Sequence, residues 1–373
     1  MDWLRNEWSS RGLTLESFRG GVSLESSTLV PSESELDSLM RGCLLVPLPD
    51  SSRLRLTGAD RVDFLHGQVS NDVRGLEPGS ANRSLLLNHR GHALADMRVF
   101  RREDVIDIVV ESGDVDLVEE SLRKHIIFDQ VELTRPPEAG TTLTLQGPQA
   151  AALLTAVLGD EFAGAGPAAV DPATGDSPTT KRGALRFTTA EFGGTAVTAL
   201  QSRRTASGGF DLLPTVDGGQ RLVEALLTAG AVAGGRPTLE LARVLAGEAS
   251  AAGEAGEGVL PQESGLEELV SYRKGCYLGQ EIMARIEARG RLRRELAGLL
   301  LDQEPAGDER GIVLVGKPVG RLGTVARHPQ LGVVALAVLR SDVPQDASLE
   351  VGGVQAKRLP LPFEPALDIT SVR

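Results

Sequence analysis

The chain has 373 residues, 41% hydrophobic and 24% charged, an ordinary globular balance with length for two or three domains and no need of staples. A formal net charge of −12 excludes a general electrostatic attraction to nucleic acid or anionic membrane, and no apolar run approaches the roughly 20 residues of a membrane span. Two cysteines, Cys43 and Cys276, argue against a disulfide scaffold and suit a reducing compartment; with no signal-like apolar stretch at the start, a cytoplasmic location is expected.

Residues 1–34 are polar and Ser/Glu-rich and predict a loosely ordered extension with room for one short helix. An acidic start and basic end predict a helix over 34–41. Residues 44–48 and 53–57 read as strands, the second alternating as a half-exposed strand does. Asp60 then caps a helix through Phe64, Leu65 and Gln68. Residues 84–87 and 93–101 predict a hairpin, 105–110 a further strand and 114–125 a helix. After a strand at 141–145, Pro148 opens a helix that Gly159 ends. Residues 163–182 read as a long Ala/Gly/Pro-rich loop. Strands follow at 183–187, 195–200 and 210–214, then helices at 220–229 and 239–245, and a Gly/Glu-rich loop over 246–264. Beyond Gly290 the texture changes to short strands with Gly turns, which predicts a small β-barrel or sandwich. The alternation before it, with hairpins mixed in, predicts an α+β fold. No phosphate-binding glycine loop is present.

The stretch most informative about chemistry is Tyr272-Arg-Lys-Gly-Cys-Tyr-Leu-Gly-Gln-Glu281. It places a thiol on a glycine-bracketed loop after two cations and just before a helix start near Gly279 or Gln280. Cations and a helix N-terminus both favour thiolate, so Cys276 is a candidate reactive cysteine; the alternative is a buried structural one. His89 and His92 form an H-x-x-H pair, too few ligands for zinc, and no metal site is expected. His66, His125 and His328 are isolated.

Lys274-Gly-Cys-Tyr-Leu-Gly-Gln-Glu281 resembles the K-G-C-[FY]-x-G-Q-E signature of the YgfZ-type folate-binding proteins, relatives of the glycine-cleavage T-protein. The likeness extends from about Ser34 to Pro362. Gly58-Ala-Asp-Arg-Val-Asp-Phe-Leu-His-Gly-Gln-Val-Ser-Asn-Asp72 is similar to the family's early segment, and Leu145-Gln-Gly-Pro148, Arg243-Val-Leu-Ala-Gly247, Pro261-Gln-Glu263, Pro318-Val-Gly320 and Leu361-Pro-Phe363 match as well. The resemblance implies two interleaved α/β lobes and a C-terminal β-barrel around a central folate site. The corresponding division is an extension over 1–34, a folate-binding region over 35–290 and a barrel domain over 291–373. It implies a tetrahydrofolate-binding accessory protein for iron–sulfur cluster assembly or repair, and so for iron–sulfur tRNA-modifying enzymes. Its partners would be folate and iron–sulfur proteins or their assembly machinery.

Folate asks for a carboxylate facing its pterin N–H groups, cations for its glutamate tail and apolar walls for its rings. By resemblance Asp211, in Gly208-Gly-Phe-Asp211, is the pterin candidate; Arg243 and Lys274 are tail candidates, or simply paired or solvated surface cations. Gln280 either bonds ligand or faces water. Glu281 is a further ligand candidate, or pairs with Arg285 one helical turn on. Asn88-His-Arg-Gly-His-Ala-Leu-Ala-Asp96 resembles the T-protein stretch N-x-x-G-G-x-x-D-D, which makes Asp96 a candidate acid/base. Ala95 stands where that stretch has its other carboxylate. This departure weakens the second reading, a folate-dependent aminomethyltransferase; a non-catalytic folate-binding module is the third.

Overall fold

The structure, a computed structural model, describes residues 2–13, 15, 30–112, 114–162, 185–290, 292–307 and 309–363. The loop expected over 163–182 lies outside the described residues.

The chain opens with helix α1 (Asp2–Ser9). Its Leu4 and Trp8 lie one turn apart on one face and are fully buried among Leu153, Phe162, Val223 and Leu226, and the Trp8 indole N–H donates to the carbonyl of Gly234 (2.9 Å). The expectation of a loosely ordered extension is therefore corrected over residues 2–13: one indole outweighs a polar composition. Helix α2 (Glu33–Arg41) begins at a capping box between Ser32 and Glu35. Glu35 is buried because its other oxygen accepts from the Gly235 amide and the Thr238 hydroxyl, both at 2.8 Å.

Strands β1 (Leu44–Leu48) and β2 (Ser52–Thr57) lead to helix α3 (Arg61–Gln68). Strands β3 (Ser80–Leu87), β4 (Ala93–Arg101) and β5 (Ile106–Ser112) form a meander, followed by helix α4 (Val115–His125) and β6 (Glu132–Thr134). Then come β7 (Thr142–Gln146), helix α5 (Ala150–Leu158), β8 (Leu185–Phe192), β9 (Thr195–Ser202), β10 (Gly209–Pro214), helix α6 (Val216–Thr228), β11 (Val232–Ala233) and helix α7 (Arg236–Ala246). Asp60 does not cap α3 through its side chain; its carboxylate accepts instead from the Gln130 amide (2.7 Å).

Among the described residues these strands form one sheet in the order β11-β1-β7-β10-β9-β8-β3-β4-β5-β2-β6. One half, β1 with β7–β11, packs against α1, α5 and α6; the other, β2–β6, packs against α3 and α4. The chain enters the first half at β1, builds the second, and returns, so the two lobes interleave as expected. The sheet is strongly curled. Arg98 on β4 and Asp211 on β10 lie four strands apart, about 19 Å in a flat sheet, yet their side chains meet at 3.3 Å. The inner face is closed at its middle by Ala81, Phe100, Val109, Leu200 and Leu213.

After helix α8 (Gln280–Arg289), strands β12 (Arg294–Leu301), β13 (Gly311–Leu314), β14 (Lys317–His328), β15 (Gly332–Arg340), β16 (Ser348–Val351) and β17 (Val354–Leu359) close a barrel in the order β12-β15-β14-β13-β16-β17. Leu241, Val244 and Leu245 of α7 pack on Val334, Leu336 and Phe363, which fixes the barrel against the sheet. No helix among the described residues is long and apolar enough to cross a membrane.

Candidate functional site: a charged cleft and a cysteine loop

Strand alternation sorts the residues of β4. Ala95, Met97 and Val99 enter the apolar core with α3 and α4, while Asp96 and Arg98 turn to the inner face. The carboxylate present and the carboxylate missing from the T-protein-like stretch therefore point opposite ways. Arg83 on β3 meets Asp96 at 2.5 Å. Arg98 contacts Glu111 at 2.8 Å, and Arg204 takes both oxygens of Asp211 at 2.7 and 2.8 Å while also reaching Glu111. Burial opposes the charge on Glu111, but Arg204 and Arg98 overcome it and hold the carboxyl well below its ordinary range.

Arg83, Asp96, Arg98, Glu111 and Arg204 form one wall of a cleft between the sheet, α7 and the barrel that opens to solvent. The opposite wall carries Arg236, Leu239, Glu240, Arg243, Glu248 and Thr324. Burial also opposes the charge on Glu240, yet Arg243 and Arg236 bring its pKa down to about 2. Arg243 spends four of its five N–H donors: on Glu240 (2.9 Å), the Glu248 carbonyl (2.6 Å), Glu254 (3.0 Å) and Thr324. The loop over 246–264, read as simply Gly/Glu-rich, is in part buried. Glu254 is its anchor, accepting from Arg243 and from the Ser250 and Thr324 amides.

Two groups that sequence reasoning passed over are incompletely paired among the described residues: Arg203, which lines the cleft, and Glu268, which lies outside its lining. Arg203 has one long contact, 3.5 Å to Glu248, and its buried Nε has no partner among the described residues. Glu268 lies on a short 3-10 turn (Glu267–Leu269) against β3, in the field of Arg83, Glu248 and Arg203; burial first, then Glu248 and Glu267, push its carboxyl up to about 7. Neither sits in a recognisable motif, so only the fold brings them forward.

Of the sequence-derived candidates, Asp96 and Arg243 line the cleft, and Asp211 lies just behind it, 1% exposed, its oxygens facing Arg204 and Arg98 rather than open space. Lys274, Cys276, Gln280 and Glu281 are not among the lining residues. They belong to a second feature. Cys276 is exposed on a loop that turns at Gly275 (φ +96°). Gln280 opens α8 with its amide donating to the Tyr277 carbonyl, and Glu281 reaches out to Arg285 at 3.0 Å. The Lys274 ammonium donates to the His66 carbonyl and lies 4.8 Å from the centre of the Tyr277 ring; burial brings its pKa down to about 8. Cys43, by contrast, is buried in the first lobe, and burial alone pushes its thiol up to about 12.

The two features meet through glycines. A Cβ on Gly279 would lie 2.8 Å from the Asn88 carbonyl oxygen, and one on Gly91 would meet Met283 at 2.6 Å. The turn between β3 and β4 is thus seated on the first turn of α8, so the strands carrying Arg83 and Asp96 are coupled to the cysteine loop. His92, in the same turn, accepts from the Gly258 amide (3.3 Å).

Comparison with known proteins agrees with this architecture. The GCVT N-terminal domain model matches residues 18–274, more than half of the chain. The tRNA-modifying protein YgfZ of Yersinia pseudotuberculosis serotype O:1b (strain IP 31758) is 29% identical over 337 residues, covering 87% of this chain and 93% of its own. An aminomethyltransferase of Synechococcus sp. (strain RCC307) is 27% identical over 329 residues, covering 86% and 87%. In fold, the glycine cleavage system aminomethyltransferase T of Bartonella henselae superposes with a TM-score of 0.75 over 96% of both chains at 17% identity. The chain belongs to the GCVT N-terminal domain family, as a YgfZ-type, GcvT-like protein.

Proposed function

We propose that this protein binds a tetrahydrofolate-type ligand in the charged cleft and supports iron–sulfur cluster assembly or repair, and thereby iron–sulfur tRNA-modifying enzymes, through the thiol of Cys276. The observation that carries the choice is the separation of the two chemistries. The one carboxylate of the T-protein-like stretch, Asp96, is bound to Arg83, and its neighbour Ala95 faces the core, whereas Cys276 stands exposed on a held loop. A proton-transfer role in aminomethyl transfer needs a carboxylate free to exchange its proton; a thiol mechanism needs access.

The cleft offers polar contacts to one end of a folate: Arg203 has donors to spare, its neighbour Glu248 supplies carboxylate oxygens, and Leu239, Ala249 and Ala252 give small apolar walls. The committed groups Arg204, Asp211 and Arg243 set the shape of the site. Folate, when bound, supplies one-carbon or redox chemistry at its reduced pterin; the chain's residues bind and orient it. Cells lacking the protein, supplied with the Cys276→Ser variant, should fail to recover iron–sulfur enzyme activity while the native chain restores it. Full rescue by Cys276→Ser would reject the thiol role.

A further inference from the structure

The ring of His66 bonds its own neighbourhood on one side and, on the other, Lys274, which is 208 residues away in sequence. Its residue is 4% exposed. The Nδ1 atom accepts the amide hydrogens of Val73 (3.4 Å) and Arg74 (3.3 Å), on the turn that follows α3. A nitrogen that accepts carries no proton, so the neutral ring has its proton on Nε2. Nε2 is 2.7 Å from the main-chain carbonyl of Lys274 and donates to it.

The contact is returned, because the Lys274 ammonium donates to the main-chain carbonyl of His66. That carbonyl is in the last turn of α3. The Ser70 amide, its partner in a continued helix, donates instead to Leu85 (2.9 Å). Free carbonyls and the helix dipole favour a cation there, and the Tyr277 ring covers Lys274 as well. His66 and Lys274 thus close a two-way clamp, and only Gly275 separates it from Cys276.

We propose that His66 is a positioning residue for the cysteine loop: neutral, it ties the turn from Lys274 to Cys276 to the turn after α3, and protonated on both nitrogens it keeps the Lys274 carbonyl but lets go of the Val73 and Arg74 amides, which frees the clamp from that turn. The functional consequence rests on the thiol role proposed above; the geometry does not. A proton on Nδ1 ends its acceptance from Val73 and Arg74 and turns it toward Asp72, whose carboxylate lies 3.2 Å away. The groups facing the ring are Lys274 from the cysteine loop and Asp72 and Arg74 from the turn after α3. Burial first, then Lys274 and Arg74, hold its pKa below the ordinary value, against the Lys274 carbonyl and Asp72. The clamp is therefore anchored to the turn after α3 at neutral pH and loses that anchor, though not the Lys274 carbonyl, in mild acid.

The test combines three readouts on the full chain: the ring tautomer from long-range nitrogen–proton NMR correlations, hydrogen exchange of the segments 70–76 and 271–279 corrected for intrinsic rate, and iodoacetamide labelling of Cys276 by peptide mapping. The expected tautomer has the proton on Nε2. Protection of the Val73 and Arg74 amides should fall up to about tenfold on acidification, the effect of losing one hydrogen bond. His66→Gln, which donates and accepts at every pH, should keep the protection and lose the pH step. His66→Phe should expose the segment 271–279 at both pH values, with Cys276 labelling altered in parallel. Should His66→Phe not fold, Lys274→Met, which removes the returning bond, gives the same loss. A proton on Nδ1 in the neutral ring, or protection indifferent to pH and to these variants, overturns the proposal. Calorimetric titration of tetrahydrofolate into the same samples separates the two readings: no binding with an intact clamp defeats the folate proposal alone.

Discussion

The cleft and the cysteine loop handle charge in opposite ways. In the cleft, guanidinium and carboxylate groups from β3, β4, β5 and β10 are paired at 2.5–3.3 Å and almost wholly removed from water. In the loop, one ammonium is held by a carbonyl and an aromatic ring, and the thiol beyond it is left in solvent. A buried ion pair adds little net stability over an apolar pair of the same shape, but it makes the loss of one partner costly and fixes where the rest must lie. The difference teaches that the cleft's paired residues are chiefly its frame. On the function proposed above, ligand contact falls to the incompletely paired Arg203 and reactivity to the exposed Cys276.

That contrast is broken most forcefully at Arg204. Arg204→Met strands Asp211 and Glu111 without their shared cation and should cost about 3–5 kcal/mol in denaturant unfolding. Cys276→Ser should change stability by no more than about 0.5 kcal/mol, as an exposed substitution does. A mild effect at Arg204 would mean that the network does not frame the cleft.

The two cysteines sharpen the comparison. At neutral pH Cys276 should alkylate at least about a hundredfold faster than Cys43, whose thiol is both buried and pushed up to about 12. Comparable labelling of both would contradict the placement of the loop.

A smaller effect belongs to Glu268. Its folded pKa of about 7 lies above the ordinary 4.5, so the folded chain keeps a proton that the unfolded chain has lost. The resulting contribution is fully present below about pH 4.5 and is lost as pH rises through about 7. The melting temperature of the native chain, relative to Glu268→Gln, should therefore fall between about pH 4.5 and pH 8. A flat difference would place this carboxyl in water.

Much of the fold was legible because it follows local rules. The strand alternation of 53–57, the helix ending at Gly159 and the crowded short strands of the barrel each carry their signal within a few residues. The seat of α1 was not, since a helix of eight residues with two tryptophans shows its burial only against Leu153, Phe162 and Val223 from distant elements. The site was half legible. The signature around Cys276 and the i,i+4 pair of Glu281 with Arg285 are local: Cys276 is exposed ahead of α8, and Glu281 meets Arg285. The partners of Asp211 and Arg243 are fixed by the curl of the sheet and by the barrel residue Thr324, and Lys274 by α3. No spacing along the chain encodes such meetings, so a motif carboxylate or cation looks free until its partners are seen.

The central claim is that the ligand belongs to the cleft and the thiol to a separate, coupled loop. Calorimetric titration of tetrahydrofolate into the native chain, Arg203→Ala and Cys276→Ser tests it most directly. The account predicts binding by the native chain, equal affinity in Cys276→Ser, and a loss of at least about tenfold in Arg203→Ala, the worth of one charge-assisted hydrogen bond. Absence of binding by the native chain, or a loss confined to Cys276→Ser, would contradict it.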